Sequence, residues 1–207
     1  MASKPDPFAA RKFRAAMRMS MKALPAHLPA LLYLVDPKRG PNFLETAVNL
    51  PAGSGVVYRH FGDKNRLDIA RRLRHITLST KSILLIGNDA QLAKRVRADG
   101  VHWSESIISN SAQWRSTFTI MTTAAHSRKA VHHARMLGLD AALYSCVFPS
   151  RSPSASKPTG AVKFRLLSKQ LDFPIYALGG VSAHNAARVA DAGGLATVEG
   201  AETTFGS

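Results

Sequence analysis

The sequence predicts a single α/β domain folded as a (β/α)8 TIM barrel, with a basic N-terminal extension and a truncated last helix. Three observations predict it. Short apolar runs alternate with segments of helical periodicity at a spacing of about 20–30 residues. Eight such runs lie between Leu31 and Val198. The stretch 174–194, PIYALGGVSAHNAARVADAGG, holds a complete repeating unit: an apolar run, a glycine pair, and a helical pattern in Ala186, Val189, Ala190 and Gly193. An open doubly wound sheet is the competing fold, but no G-x-G-x-x-G follows the first run.

Taken in order, residues 1–29 form a basic arm or helix, and residues 30–207 the barrel. In the arm, Lys4, Arg11, Lys12, Arg14, Arg18 and Lys22 face one acid, Asp6, and Phe13, Met17 and Met21 recur at helical spacing. Leu31–Val35 is the first strand, ended by a loop with Pro37, Gly40 and Pro41. A helix over 42–50 leads to strand 55–58. Asp63 is placed to cap a helix that faces inward with Leu67, Ala70 and Leu73. Strand 82–86 closes on Gly87, Asn88 and Asp89, and a short helix carries Leu92, Ala93 and Val96. Strand 100–103 precedes a polar, irregular stretch over 104–116. Strand 118–123 follows, then a helix opened by Ser127, then strand 141–147. A loop over 148–160 holds Ser150, Arg151, Ser152, Lys157 and three prolines. A loop of this kind at a strand's C-terminal end suits binding. Helix 162–171 and the unit at 174–194 complete the barrel. Seven residues follow Gly200, too few for a full eighth helix, and the N-terminal helix is placed to cover that gap.

The 207 residues suit one domain, and a hydrophobic fraction of 45% can fill a sizeable core. One cysteine, Cys146, excludes an internal disulfide framework and agrees with a reducing, cytoplasmic setting. No apolar run is long enough to span a bilayer. The net charge of +15 suits anionic partners, yet it is dispersed and no nucleic-acid motif accompanies it, so no specific nucleic-acid partner is expected. The oligomeric state stays open, a homo-oligomer included.

In such a barrel, chemistry sits at the C-terminal ends of the strands. Those positions hold Arg59, His60, Asn88, Asp89, His102, Glu105, His126, Ser150, Arg151, Ser152, Lys157, Gly179, Gly180 and Glu199. Arginine, serine hydroxyls and glycine amides together suit a phosphate or diphosphate. Asp89 admits two readings, a helix cap or a ligand to Mg²⁺, an ion that takes one or two carboxylates plus substrate phosphates. His126 is a proton shuttle or the orienter of a turn. His102 lies in an apolar context and reads as a hydrogen-bonded structural residue. His132 and His133 read as a solvated face, and Cys146 as a small core residue.

The set YR at 58–59, LLIGND at 84–89, ADGVHW at 98–103, AHS at 125–127, VFPSRSPSASKPTG at 147–160 and YALGGVSAHNAARVADAGG at 176–194 resembles the thiamine phosphate synthase/TenI superfamily. The resemblance covers about residues 30–200, with the motifs in family order. It implies a (β/α)8 barrel whose synthases join hydroxymethylpyrimidine diphosphate to a thiazole phosphate, with Mg²⁺ assisting and pyrophosphate leaving. It implies that Arg59 contacts the diphosphate and that Asn88 and Asp89 belong to its binding and metal site. Ser150 and Ser152 would replace two pyrophosphate-binding threonines, and Gly180, beside Gly179, would help hold the thiazole phosphate.

The chain also departs from the family pattern. Phe61 stands for a diphosphate-binding lysine, and near Ile107, where a second metal aspartate is expected, only Glu105 is available. Ala124 replaces a serine. Pro153 replaces the lysine that closes the pyrophosphate loop, with Lys157 as a substitute, and Glu199 replaces a phosphate-binding serine. Each lost charge-assisted contact could cost about 1.5–3 kcal/mol. Three functions follow: a divergent synthase, a TenI-like thiazole tautomerase using His126, or a non-catalytic barrel that binds phosphate ligands while its arm contacts polyanions.

Overall fold

The computed structural model describes residues 6–37, 42–152 and 156–206. Lys4, Gly40, Pro41 and Pro153 lie outside these residues. Eight parallel strands pair in chain order and close β8 onto β1: β1 Leu31–Val35, β2 Ser54–Tyr58, β3 Ile83–Gly87, β4 Gly100–Trp103, β5 Ile120–Ala125, β6 Ala141–Tyr144, β7 Ile175–Ala177 and β8 Gly194–Thr197. The apolar runs therefore are the strands of a closed barrel, buried on both faces as a parallel sheet requires. Alternation along each strand splits the core in two. Leu32, Leu34, Val57, Leu85, Leu143 and Tyr176 belong to one apolar cluster, inside the barrel. Leu31, Tyr33, Val35, Val56 and Ala142 belong to the other, under the helices. Leu24 and Leu28 join the inner cluster from the segment before β1, and Tyr176 donates its hydroxyl to Pro29 O at 2.7 Å.

The helices are α1 Pro7–Ala23, α2 Phe43–Asn49, α3 Arg66–Ser79, α4 Ala90–Arg95, α5 Arg128–Met136, α6 Ala161–Gln170 and α7 Glu199–Phe205. Asp6 caps α1 by accepting from Phe8 N, Asp89 caps α4 by accepting from Leu92 N, and Ser127 caps α5 by accepting from Ala130 N. Helix α1 buries Phe13, Ala16, Met17 and Ser20 and packs against β8, α7 and the 3-10 turn Ala186–Arg188. Phe13 meets Phe205 edge-on, with centroids 5.7 Å apart, and Ser20 donates to the carbonyls of Gly193 and Ala30. The N-terminal helix thus supplies outer-layer contacts beside β8.

Several local expectations change. Asp63 does not cap α3; Asn65 begins that helix, and Asp63 folds the turn before it by accepting from Asn65 N at 2.7 Å. The periodic stretch after Gly180 forms only the turn Ala186–Arg188. Asn185 accepts from Ser182 N and donates to Gly180 O, so its side chain competes with helical hydrogen bonds. The polar stretch after β4 is a 3-10 helix, Glu105–Trp114, kinked at Ile107. Strand β6 ends at Tyr144, which puts Cys146 in the following loop, still buried. Strand β5 starts two residues late because Phe118 packs on Trp114 instead.

Candidate active site

Inward-facing residues at or just beyond the ends of five strands floor a cleft at the C-terminal mouth. Leu34, Arg59, Ser145, Leu178 and Val198 line it from β1, β2, β6, β7 and β8. Its volume is about 300 Å³. The loop after β6 and the glycine pair after β7 make the walls, through Ser150, Arg151, Ser152, Gly179 and Gly180. Arg59 and Arg151 are the cations lining it among the described residues.

The walls are positioned by backbone pairing. Val147 N and Phe148 N donate to Leu178 O and Gly179 O, extending the β6–β7 ladder past the strands. Thr159 N and Gly160 N donate back to Cys146 O and Val147 O, which pins both ends of the loop. Ser152 N donates to Ser150 Oγ at 3.2 Å, so both serines stand on one turn of that loop. Gly179 and Gly180 have φ of +94° and +63°, and a Cβ on Gly180 would collide with Pro149 O. Glycine is required there by both conformation and close approach. Burial pushes the Cys146 thiol up, and its Sγ donates to Phe148 O, so the thiol side of Cys146 is held against the loop after β6.

Arg59 lies 3.8 Å from Asp36, a buried carboxylate just after β1, and its guanidinium stands 5.5 Å over the Phe61 ring. Phe61 thus packs against the arginine that lines the cleft. Sequence alone does not single out Asp36. Like Arg59, it stands one residue beyond the end of a strand.

A second polar group lies beyond β2, β3 and β4. Asn88, at φ +59°, accepts from Ser104 N at 2.7 Å and ties the β3 end to the β4 end. Asp89 uses Oδ1 as its helix cap; Oδ2 lies 3.7 Å from both His60 Nε2 and Arg66 Nε. Burial lowers the pKa of His60, assisted by Arg66 and opposed by Asp89. Among the described residues no three His, Cys, Asp or Glu side chains cluster as a metal cage. Asp89 offers one carboxylate oxygen, a donor set that fits Mg²⁺ only when a substrate phosphate and water complete the shell.

Asn88, Asp89, His126 and Lys157 are not among the residues lining the cleft, whereas Arg59, Ser150, Ser152, Gly179 and Gly180 are. His126 is exposed and faces Glu105, with Nδ1 2.8 Å from Oε2. Glu105 also accepts from His126 N, so it orients that histidine. Lys157 is exposed on the loop. His102 is buried, as expected, with Nδ1 2.9 Å from Thr122 Oγ1.

No helix among the described residues is long and apolar enough to cross a membrane. The family model described as thiamine monophosphate synthase matches residues 33–201. A putative thiamine-phosphate synthase 2 of Aquifex aeolicus is 32% identical over 161 residues, covering 75% of this chain and 87% of that protein. A thiamine-phosphate synthase of Prochlorococcus marinus is 25% identical over 161 residues, 75% of this chain but 45% of that protein. The thiamine phosphate pyrophosphorylase structure from Pyrococcus furiosus shares the fold, with a TM-score of 0.71, 20% identity, and coverage of 86% of this chain and 87% of that one. With the matched region running from β1 to the first turn of α7, the chain belongs to the thiamine monophosphate synthase family, whose members include transferases of thiamine biosynthesis.

Proposed function

We propose that the protein couples hydroxymethylpyrimidine diphosphate to a thiazole and releases pyrophosphate. The observation that carries this is one cleft at the barrel mouth that gathers Arg59, Ser150, Ser152 and the Gly179–Gly180 backbone in a chain of this family. In the reaction, the C–O bond to the diphosphate breaks, and the pyrimidine methylene carbon is left as a ring-stabilised cation. The thiazole nitrogen lone pair then forms the C–N bond. No oxidant is needed.

The chain's groups are suited to each part. Arg59 would hold the diphosphate and offset charge developing on the leaving oxygen. The Ser150 and Ser152 hydroxyls would donate to its outer oxygens. Leu34, Leu178 and Val181 make an apolar wall that keeps water from the cation. Mg²⁺, held by Asp89 together with the diphosphate, would supply further positive charge at the leaving group. The tautomerase reading places the proton shuttle at His126, which, like Asp89, is outside the cleft lining.

The test is product formation. Purified protein is incubated with the pyrimidine diphosphate, Mg²⁺ and the thiazole, supplied as its phosphate and separately as its free alcohol. Coupled product above the uncatalysed background, detected by mass spectrometry, is expected. Absence of product from either thiazole with folded protein would reject the coupling reaction.

A further inference from the structure

Helix α1 uses one face on the barrel and leaves the other to solvent. Phe13, Ala16, Met17 and Ser20 are buried on the side that packs against β8, α7 and the turn Ala186–Arg188. On the opposite side Arg11, Arg14, Arg18 and Lys22 recur at steps of three or four residues, and all are exposed. Lys12 is exposed beside them, and no Asp or Glu lies between Pro7 and Ala23. Among the described residues these cations meet no carboxylate, whereas Arg59, Arg74, Arg115, Arg151 and Arg165 each do.

The solvent face is not purely polar. Phe8, Met19 and Met21 flank the basic row and are 51%, 39% and 65% exposed. Large apolar side chains left in water beside unneutralised positive charge fit a surface that offers both apolar and anionic groups. The Phe8 ring centroid lies 4.3 Å from Lys12 Nζ and 5.2 Å from Arg11 Cζ. That ring engages cations rather than standing open as a platform for stacking a base. Because Phe13 and Met17 hold α1 on the barrel, the row from Arg11 to Lys22 is presented as a fixed line about 16 Å long.

We propose that the exposed face of α1 docks the protein on an anionic lipid bilayer. The basic row lies on the headgroup phosphates, and Phe8, Met19 and Met21 enter the layer between headgroups and acyl chains. The helix stays folded on the barrel throughout, since its buried face is already occupied. Each Lys or Arg at such a surface strengthens binding by roughly fivefold, so the row supports reversible attachment without a spanning helix. None of these residues lines the cleft, so docking and substrate binding use separate side chains. The inference is independent of the coupling reaction proposed above.

The experiment is co-sedimentation of the full chain with vesicles of phosphatidylglycerol and phosphatidylcholine in about equal parts, and with vesicles of phosphatidylcholine alone. The chain should pellet with the mixed vesicles only, and added salt should release it. Arg11→Gln/Arg14→Gln/Arg18→Gln should weaken binding by about a hundredfold. Arg72→Gln/Lys94→Gln/Arg95→Gln removes the same charge from exposed positions elsewhere and should weaken it by about threefold or less. Phe8→Ser/Met21→Ser should weaken binding by about tenfold and leave its salt dependence unchanged. All these side chains are exposed, and urea unfolding checks that each variant is folded. Failure of the wild-type chain to bind the mixed vesicles, or equal binding to phosphatidylcholine alone, would overturn the proposal without any variant. So would equal losses from the two charge triples, or full binding by Phe8→Ser/Met21→Ser. Preference for polyuridylate over the mixed vesicles at equal phosphate concentration would overturn it in favour of nucleic acid.

Discussion

The helix cap made by Asp89 and the metal-binding role proposed for it can be separated by a single substitution. Its Oδ1 caps α4, and its Oδ2 faces outward toward His60 and Arg66. Asparagine caps a helix about as well as aspartate. Asp89→Asn should therefore change the unfolding free energy little, by about 0.5 kcal/mol or less. The same variant should lower Mg²⁺-dependent product formation by about tenfold or more, since the carboxylate donor is gone. An unchanged rate would remove Asp89 from the mechanism. Gly180 is a second residue with a sharp expectation. Its φ of +63° and the proximity of Pro149 O both reject a Cβ. Gly180→Ala should cost about 1–3 kcal/mol in urea unfolding. Unchanged stability would show that the loop after β6 gives way.

Among the elements, α1 sets the organisation of the barrel's seam. Among the described residues, β7 is followed by the turn Ala186–Arg188 and β8 by the seven-residue α7. Helix α1 fits against both, with Phe13 fully buried on Phe205 and Ser20 bonded to the chain on either side of the seam. Deleting the Phe13 ring leaves a cavity that its neighbours are poorly able to refill. Phe13→Ala should lower stability by about 3–5 kcal/mol in chemical denaturation. A loss below about 1 kcal/mol would mean that α1 is not part of the cooperative unit.

At the scale of the molecule, His102 couples the core to pH. It sits on β4, fully within the protein, and its pKa is lowered to about 3 by burial first and by the nearby Arg59 charge second. The ordinary histidine value is about 6.5. Between these values the unfolded chain binds a proton that the folded chain refuses. Stability therefore falls as pH drops from about 6.5 toward 3 and is unaffected by this group above that window. His102→Gln removes the titration. Its urea midpoint should change less between pH 6.5 and pH 4.5 than the wild-type midpoint does. Parallel slopes in the two proteins would show that other groups govern acid sensitivity.

The barrel was legible in the chain because each strand is a local apolar run with its own glycine, aspartate or serine boundary. Leu31–Val35 and Gly100–Trp103 could be bounded to the residue for that reason. The caps at Asp89 and Ser127 were equally local, and so were the strand-end positions of Arg59, Gly179 and Gly180. Pairings between distant residues were not legible. The Arg151–Glu199 bridge joins residues 48 apart, and the His126–Glu105 contact joins residues 21 apart. Neither leaves a periodicity or spacing to read. The periodic stretch after Gly180 stopped at one turn because Asn185 diverts the backbone and α1, from the far end of the chain, packs there. Sequence by itself determined the fold and the residues at the strand ends, because those depend on burial and turn chemistry within short windows. Only the tertiary structure decided which of them share a cleft and that Glu199 points into it, because barrel closure, not the order of residues, brings β6, β7 and β8 to one mouth.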